Sequence, residues 1–132
     1  MSDRPTPGHG PALLSTPGLV VLAVVAFAVE LALFGGVGAI AYAAVGSGVT
    51  AWLAALAATA AVVLLWGLFM APKARFRLPA GARMVAAAVL CLGTAYGLVQ
   101  SGFAAWGWFV GVAGLAVVAA QVALPTAPDG RP

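Results

Sequence analysis

The residue best suited to chemistry is Glu30, the only acidic residue away from the two ends of the chain. It lies well inside the first long apolar run, near the middle of a bilayer if that run crosses one. Inserting an acid at that depth costs about 2.5–3.5 kcal/mol, and burial favours its neutral form. Glu30 is therefore either a proton or cation site or a hydrogen-bonded group that ties helices together, and the sequence leaves both hypotheses open.

Two threonines are the expected hydrogen-bond partners of this carboxyl group. Thr59 and Thr94 reach about the depth of Glu30 when each is counted from the end of its own apolar run. Threonine hydroxyls within spans also bond to carbonyls of their own helix, which is the commoner outcome. The predicted intramembrane site is thus Glu30 with Thr59 and Thr94.

A second candidate is the basic segment between the second and third apolar runs. Lys73, Arg75 and Arg77 alternate there with apolar residues, and Arg83 follows shortly after. An extended backbone would send the cations to one side and the apolar groups to the other. We interpret the segment first as a topology signal, with contact to anionic lipid headgroups or to a docking partner as the alternative.

Other site chemistries are missing from the sequence. It holds no catalytic Ser-His-Asp set, no paired carboxylates and no phosphate-binding glycine loop, and its single histidine and single cysteine have no metal-ligand spacing. We therefore predict no enzyme activity, no metal and no cofactor. The net charge of +3 comes from a few basic residues that cluster beside apolar runs, so we predict a membrane protein without a nucleic-acid partner.

The elements that position these residues are four apolar runs. Hydrophobic residues make up 64% of the 132-residue chain and charged residues only 7%, against roughly 25% in a soluble domain. Runs of this length in lipid must be helices, so the fold class is all-α, an integral membrane four-helix bundle with up-down-up-down topology. The predicted segments are a disordered tail, four spans and a C-terminal tail: 1–17, 18–45, 50–71, 81–99, 103–124 and 125–132.

The basic segment also predicts the orientation. Positively charged loops stay on the cytoplasmic side, and the other two loops carry no charge. The basic loop and both termini are therefore predicted to be cytoplasmic, in a multi-pass protein of a bacterial cell membrane. Four tryptophans near the ends of the spans are predicted interface anchors: Trp52, Trp66, Trp106 and Trp108.

The first span has two contrasting faces. The face of Glu30 carries bulky residues such as Phe34, whereas the opposite face carries small ones such as Ala32 and Gly35. Small residues let another helix approach closely. We therefore predict that one face packs on the other spans and the other on a second copy of the chain. Gly35, Gly36 and Gly38 would also permit a bend in this span.

Two stretches resemble the YrdB family of small four-span bacterial membrane proteins. Residues 27–33 read Phe-Ala-Val-Glu-Leu-Ala-Leu, and residues 66–79 read Trp-Gly-Leu-Phe-Met-Ala-Pro-Lys-Ala-Arg-Phe-Arg-Leu-Pro. The resemblance implies membrane localisation and a four-helix fold, and it brings no known activity. Taken together, we predict a non-enzymatic accessory or self-associating module that binds a membrane protein partner. A proton- or cation-coupled small transporter that uses Glu30 is the alternative.

Overall fold

The computed structural model describes residues 16–71 and 73–123, and these residues form four α-helices without a strand. The helices are α1 (Thr16–Val45), α2 (Val49–Phe69), α3 (Ala80–Gln100) and α4 (Ala104–Ala123). Each is long and apolar enough to cross a membrane, so the all-helical prediction with four candidate spans is confirmed. The predictions for 1–15, Pro72 and 124–132 lie outside the described residues.

The helix ends follow from local sequence. α1 begins at Thr16, slightly earlier than predicted, because Pro17 fits the first turn of a helix, where no N–H partner is needed. The turn to α2 needs glycine, since Gly46 and Gly48 have φ of 108° and 83°. α2 ends at Phe69 rather than at residue 71, because the N–H groups of Met70 and Ala71 both bond to the carbonyl of Trp66.

The core lies around α1, which packs against each of the other three helices. Val29 and Leu33 of α1 meet buried residues of α3 and α4, among them Leu98 and Val110, which are completely buried. α2 is the peripheral helix, because it buries only Ala51 and Val62 and its main packing partner is α1. The helix with the predicted acid is therefore also the helix that organises the fold.

The two hairpins are offset along the helix axes. Tyr42 contacts Trp52 and Phe34 contacts Trp66, so α1 and α2 run in opposite directions. Trp106 of α4 packs near Gly35, directly after α4 begins, whereas α1 continues to Val45. At 1.5 Å per residue, the α1–α2 hairpin projects on the order of 10 Å beyond the α3–α4 turn.

Candidate functional site

Glu30 is half-buried on α1, one turn before Phe34. The Phe34 ring packs edge-on against the Trp66 ring of α2, with the centroids 5.9 Å apart. Residues four apart share a helix face, so Glu30 lies on the side of α1 that turns toward the end of α2. Within the described part of the chain its carboxyl group has no hydrogen bond and no ion pair.

The two threonines lie against different sides of α1. The Thr59 hydroxyl donates to the carbonyl oxygen of Phe34 at 3.4 Å and approaches Gly38 so closely that a Cβ there would lie 2.5 Å away. Thr94 is buried, and its methyl group would lie 3.0 Å from a Cβ on Gly36. Positions 36 and 38 are about 200° apart around a helix. The two predicted partners therefore do not gather with Glu30 into one cluster.

Trp106 has a packing role that its place near a span end did not predict. Its indole Nε1–H donates to the carbonyl oxygen of Ala32 at 3.0 Å, and its ring edge would lie 3.3 Å from a Cβ on Gly35. This side chain is half-buried and joins α4 to α1. Trp106 is thus a link between helices as well as a predicted interface anchor.

Both of these side-chain hydrogen bonds use carbonyl groups of α1, and glycines expose them. A helical carbonyl oxygen points toward residues three and four positions later, so side chains there normally cover it. Gly35 and Gly36 follow the Ala32 carbonyl at those positions, and Gly38 follows that of Phe34. The helix continues through these glycines. The signal in the sequence is therefore the glycine spacing, and the bend that these glycines would permit does not interrupt the helix.

The remaining anchor candidates differ in exposure. Trp52 stands edge-on to Tyr42, with centroids 5.2 Å apart, and most of its surface is exposed. Trp108 is 69% exposed, although it lies only two residues beyond Trp106. Trp66 is half-buried against Phe34. Interface anchoring stays a prediction for all of them, and Trp52 and Trp108 have the free surface that it requires.

A notch opens where the α1–α2 hairpin projects past the α3–α4 turn. It has a volume of about 520 Å³, and its lining is almost wholly apolar. Residues of α1, α2 and the α3–α4 turn border it, namely Gly35, Gly38, Tyr42, Trp52, Thr59 and Phe103. Because Thr59 turns its hydroxyl to a backbone carbonyl, the notch offers a ligand little polar chemistry.

The basic segment is not uniformly extended, since turns occur at Lys73 and at residues 75 and 76. Lys73, Arg75 and Arg77 are nevertheless all exposed, and Arg83 at the start of α3 is half-buried. The Arg83 Nε atom is buried and has no hydrogen-bond partner among the described residues. The segment thus presents Lys73, Arg75 and Arg77 outward, and Arg83 only in part.

In the central part of α1, side chains of α2 and α4 contact both helix faces. Ala32 meets Trp106 of α4, and Phe34 meets Thr59 and Trp66 of α2. Helices of the same chain thus occupy part of both faces, whereas Leu31 and Gly35 stay exposed, and self-association through α1 stays a prediction. No group of three His, Cys, Asp or Glu residues among the described residues could hold a metal ion.

Comparison with known proteins gives one family match. The model of a family described as a protein of unknown function, DUF2568, matches residues 24–117, which include most of α1, all of α2 and α3 and most of α4. No curated protein and no solved structure is significantly similar to the chain. The match carries no activity, and the resemblance to the YrdB family stays a prediction.

Proposed function

The chain belongs to the DUF2568 family, and from that premise we propose that it is a non-enzymatic multi-pass membrane protein that acts by association within the bilayer. The observation that carries the proposal is the position of α2, which packs mainly on α1 and buries only Ala51 and Val62. One helix of a small module thus keeps most of its surface available. A helix in this position suits docking to another transmembrane helix.

The proposed contact surface is the side of α2 that turns away from α1. Ala57 and Ala61 are exposed there, one turn apart, between the exposed side chains of Leu53 and Leu64. Small residues four apart allow close approach of a second helix in lipid. We propose a second copy of the chain as the occupant of this α2 surface, and self-association through α1 stays a separate prediction.

The proposal includes the predicted orientation. The spans cross in up-down-up-down order in the cell membrane of a bacterium, with the basic loop and both termini in the cytoplasm. α1 and α2 run in opposite directions, which supports the up-down order of the first two spans. The α1–α2 and α3–α4 turns carry no charge, which supports their placement on the side opposite the basic loop. A compartment-specific reporter fused at residue 75 tests it.

Cysteine crosslinking tests the contact surface. All copies share one orientation, so a two-fold axis along the membrane normal brings identical positions of α2 together. Copper-catalysed oxidation in membranes is expected to give a disulfide-linked dimer with Ala57→Cys or Ala61→Cys. The unmodified chain should stay monomeric under the same oxidation, because its native Cys91 is buried.

The matched controls are Val89→Cys on α3 and Val112→Cys on α4, which are both 63% exposed. Equal crosslinking at all four positions would contradict a specific α2 contact. Crosslinking at none of them, together with capture of one different protein by a photoreactive residue at 57 and not at 89, would indicate the accessory form of the proposal. No position-dependent product of either kind would exclude association through α2.

A proton- or cation-coupled transporter that uses Glu30 is the second candidate. The observation that favours it is the Glu30 carboxyl group, which is half-buried within a span and forms no hydrogen bond to a described residue. A group that served only to tie helices together would have such a bond.

Tryptophan fluorescence can test whether Glu30 titrates. Trp66 contacts Phe34, one turn from Glu30, so its emission should report a change of charge there. In reconstituted protein between pH 5 and 9, we expect a titration in the wild type that is absent in Glu30→Gln and in Trp66→Phe. Solute-dependent proton flux that Glu30→Gln abolishes would support transport. A titration that persists in Glu30→Gln would exclude Glu30 as its source.

A further inference from the structure

The basic segment is attached to the end of α2 by its own backbone. The N–H groups of Phe76 and Leu78 donate to the carbonyl oxygens of Leu68 and Phe69 at 3.1 and 3.2 Å. The last carbonyls of a helix otherwise lack partners. These hydrogen bonds fold the segment back on α2, so its side chains are presented from a defined backbone.

The segment carries positive charge that no acid among residues 16–71 and 73–123 neutralises. Lys73, Arg75 and Arg77 are exposed, and Arg83 has a buried Nε without a partner among the described residues. Glu30 is the only acid of the described residues, and it forms no ion pair with any of these cations. An anionic partner would therefore meet three exposed cations that no described acid neutralises.

The aromatic ring of Phe76 lies beside these cations. Phe76 is 60% exposed, although its ring packs on Phe69 with centroids 6.4 Å apart. The Arg75 guanidinium lies 5.8 Å from the centroid of the Phe76 ring. An exposed aromatic ring beside guanidinium groups matches a phospholipid, whose phosphate and acyl chains present both chemistries at one interface. Free phosphate would satisfy only the cations.

We propose that residues 73–83 form a binding site for the headgroup of an anionic phospholipid. Arg75, Arg77 and Arg83 donate to the phosphate and its anionic substituent, and Phe76 enters the upper acyl region. Lys73 adds long-range attraction. The site lies where the segment joins the spans, at a membrane surface, and it does not depend on the helix association through α2 proposed above.

Spin-labelled lipids provide the measurement. The full-length protein is reconstituted in phosphatidylcholine, and the relative association constants of labelled phosphatidylglycerol and phosphatidylcholine are compared by electron spin resonance. The wild type is expected to prefer phosphatidylglycerol. Arg75→Gln or Arg77→Gln should reduce this preference about fivefold at low salt, since each basic residue near an anionic surface contributes about 1 kcal/mol.

Two control variants distinguish this site from general charge attraction and from an inverted membrane topology of the basic loop. Arg131→Gln removes the same charge from the C-terminal tail and should leave the preference unchanged. Phe76→Ala keeps every charge, and therefore the topology signal, yet should lower the fraction of each labelled lipid whose motion the protein restricts in the spin-resonance spectrum. If Arg131→Gln acts as strongly as Arg75→Gln, or if Phe76→Ala has no effect, the proposed site is excluded. Displacement of the lipid by millimolar inorganic phosphate would instead indicate a soluble phosphate ligand and would overturn the proposal.

Discussion

Replacing Gly107 with valine is expected to lower the free energy of unfolding by about 1–3 kcal/mol, as overpacking of a close contact does. A Cβ on Gly107 would lie 2.7 Å from the carbonyl oxygen of Ala95 and 2.8 Å from Cγ2 of Val99. The first of these atoms belongs to the backbone of α3, so a rotamer change cannot remove the clash. The two helices must separate, and close packing is the main attraction between helices in lipid.

The measurement is unfolding of the purified protein in mixed micelles, followed by far-ultraviolet circular dichroism. Gly93→Ala is the matched control, because a Cβ on Gly93 of α3 meets nothing within 4 Å. This control should be neutral or up to about 1 kcal/mol more stable, since alanine has the higher helix propensity. Adding Val99→Ala to Gly107→Val should rescue only part of the loss, because the Ala95 carbonyl remains. Equal stability of Gly107→Val and Gly93→Ala would contradict the α3–α4 packing.

Replacing Trp106 with alanine is expected to cost about 3 kcal/mol, the lower end for a tryptophan truncation, because the side chain is half-buried. The substitution removes the ring that packs at Gly35 and the hydrogen bond to the Ala32 carbonyl at the same time. Both contacts join α4 to α1, so their loss affects the connection between the two hairpins. The same micelle unfolding assay measures the change.

Two further variants separate ring packing from hydrogen bonding and from interface anchoring. Trp106→Phe keeps most of the ring but loses the donor, so we expect a loss of about 0.6 kcal/mol, the average for such bonds in a membrane protein. Trp108→Ala removes an indole that is 69% exposed and should change stability by less than about 0.5 kcal/mol. If Trp108→Ala destabilises the fold as much as Trp106→Ala, anchoring at the interface rather than helix packing governs both positions.

The glycines of the chain illustrate how far a sequence motif predicts a contact. Gly93 and Gly97 form a Gly-x-x-x-Gly spacing on α3, yet only Gly97 faces another helix, where a Cβ would lie 2.6 Å from Cδ1 of Ile40. Gly107 and Gly114 on α4 are both buried against α3. Spacing alone could not distinguish these cases, because it does not say which side of a helix meets a neighbour.

The helical elements can be predicted from the amino-acid sequence alone. Four apolar runs of span length, separated by glycine-rich turns and one basic segment, can only be helices in lipid. Their observed ends lie close to the predicted ones because charges, prolines and glycines mark them. The candidate residues Glu30, Lys73, Arg75 and Arg77 were also identifiable, since charged residues are rare in this chain.

The choice of the helix faces that meet became known only from the packing of the four helices. In water, an apolar stripe on a helix indicates its buried side, but in lipid the outer surface is as apolar as the core. α1 and α2 are accordingly hydrophobic all round, and nothing in their sequences indicated that α1 would be central and α2 peripheral. For the same reason, the sequence could not show that Thr59 and Trp106 bind carbonyls of α1, which depends on glycines that leave those carbonyls uncovered.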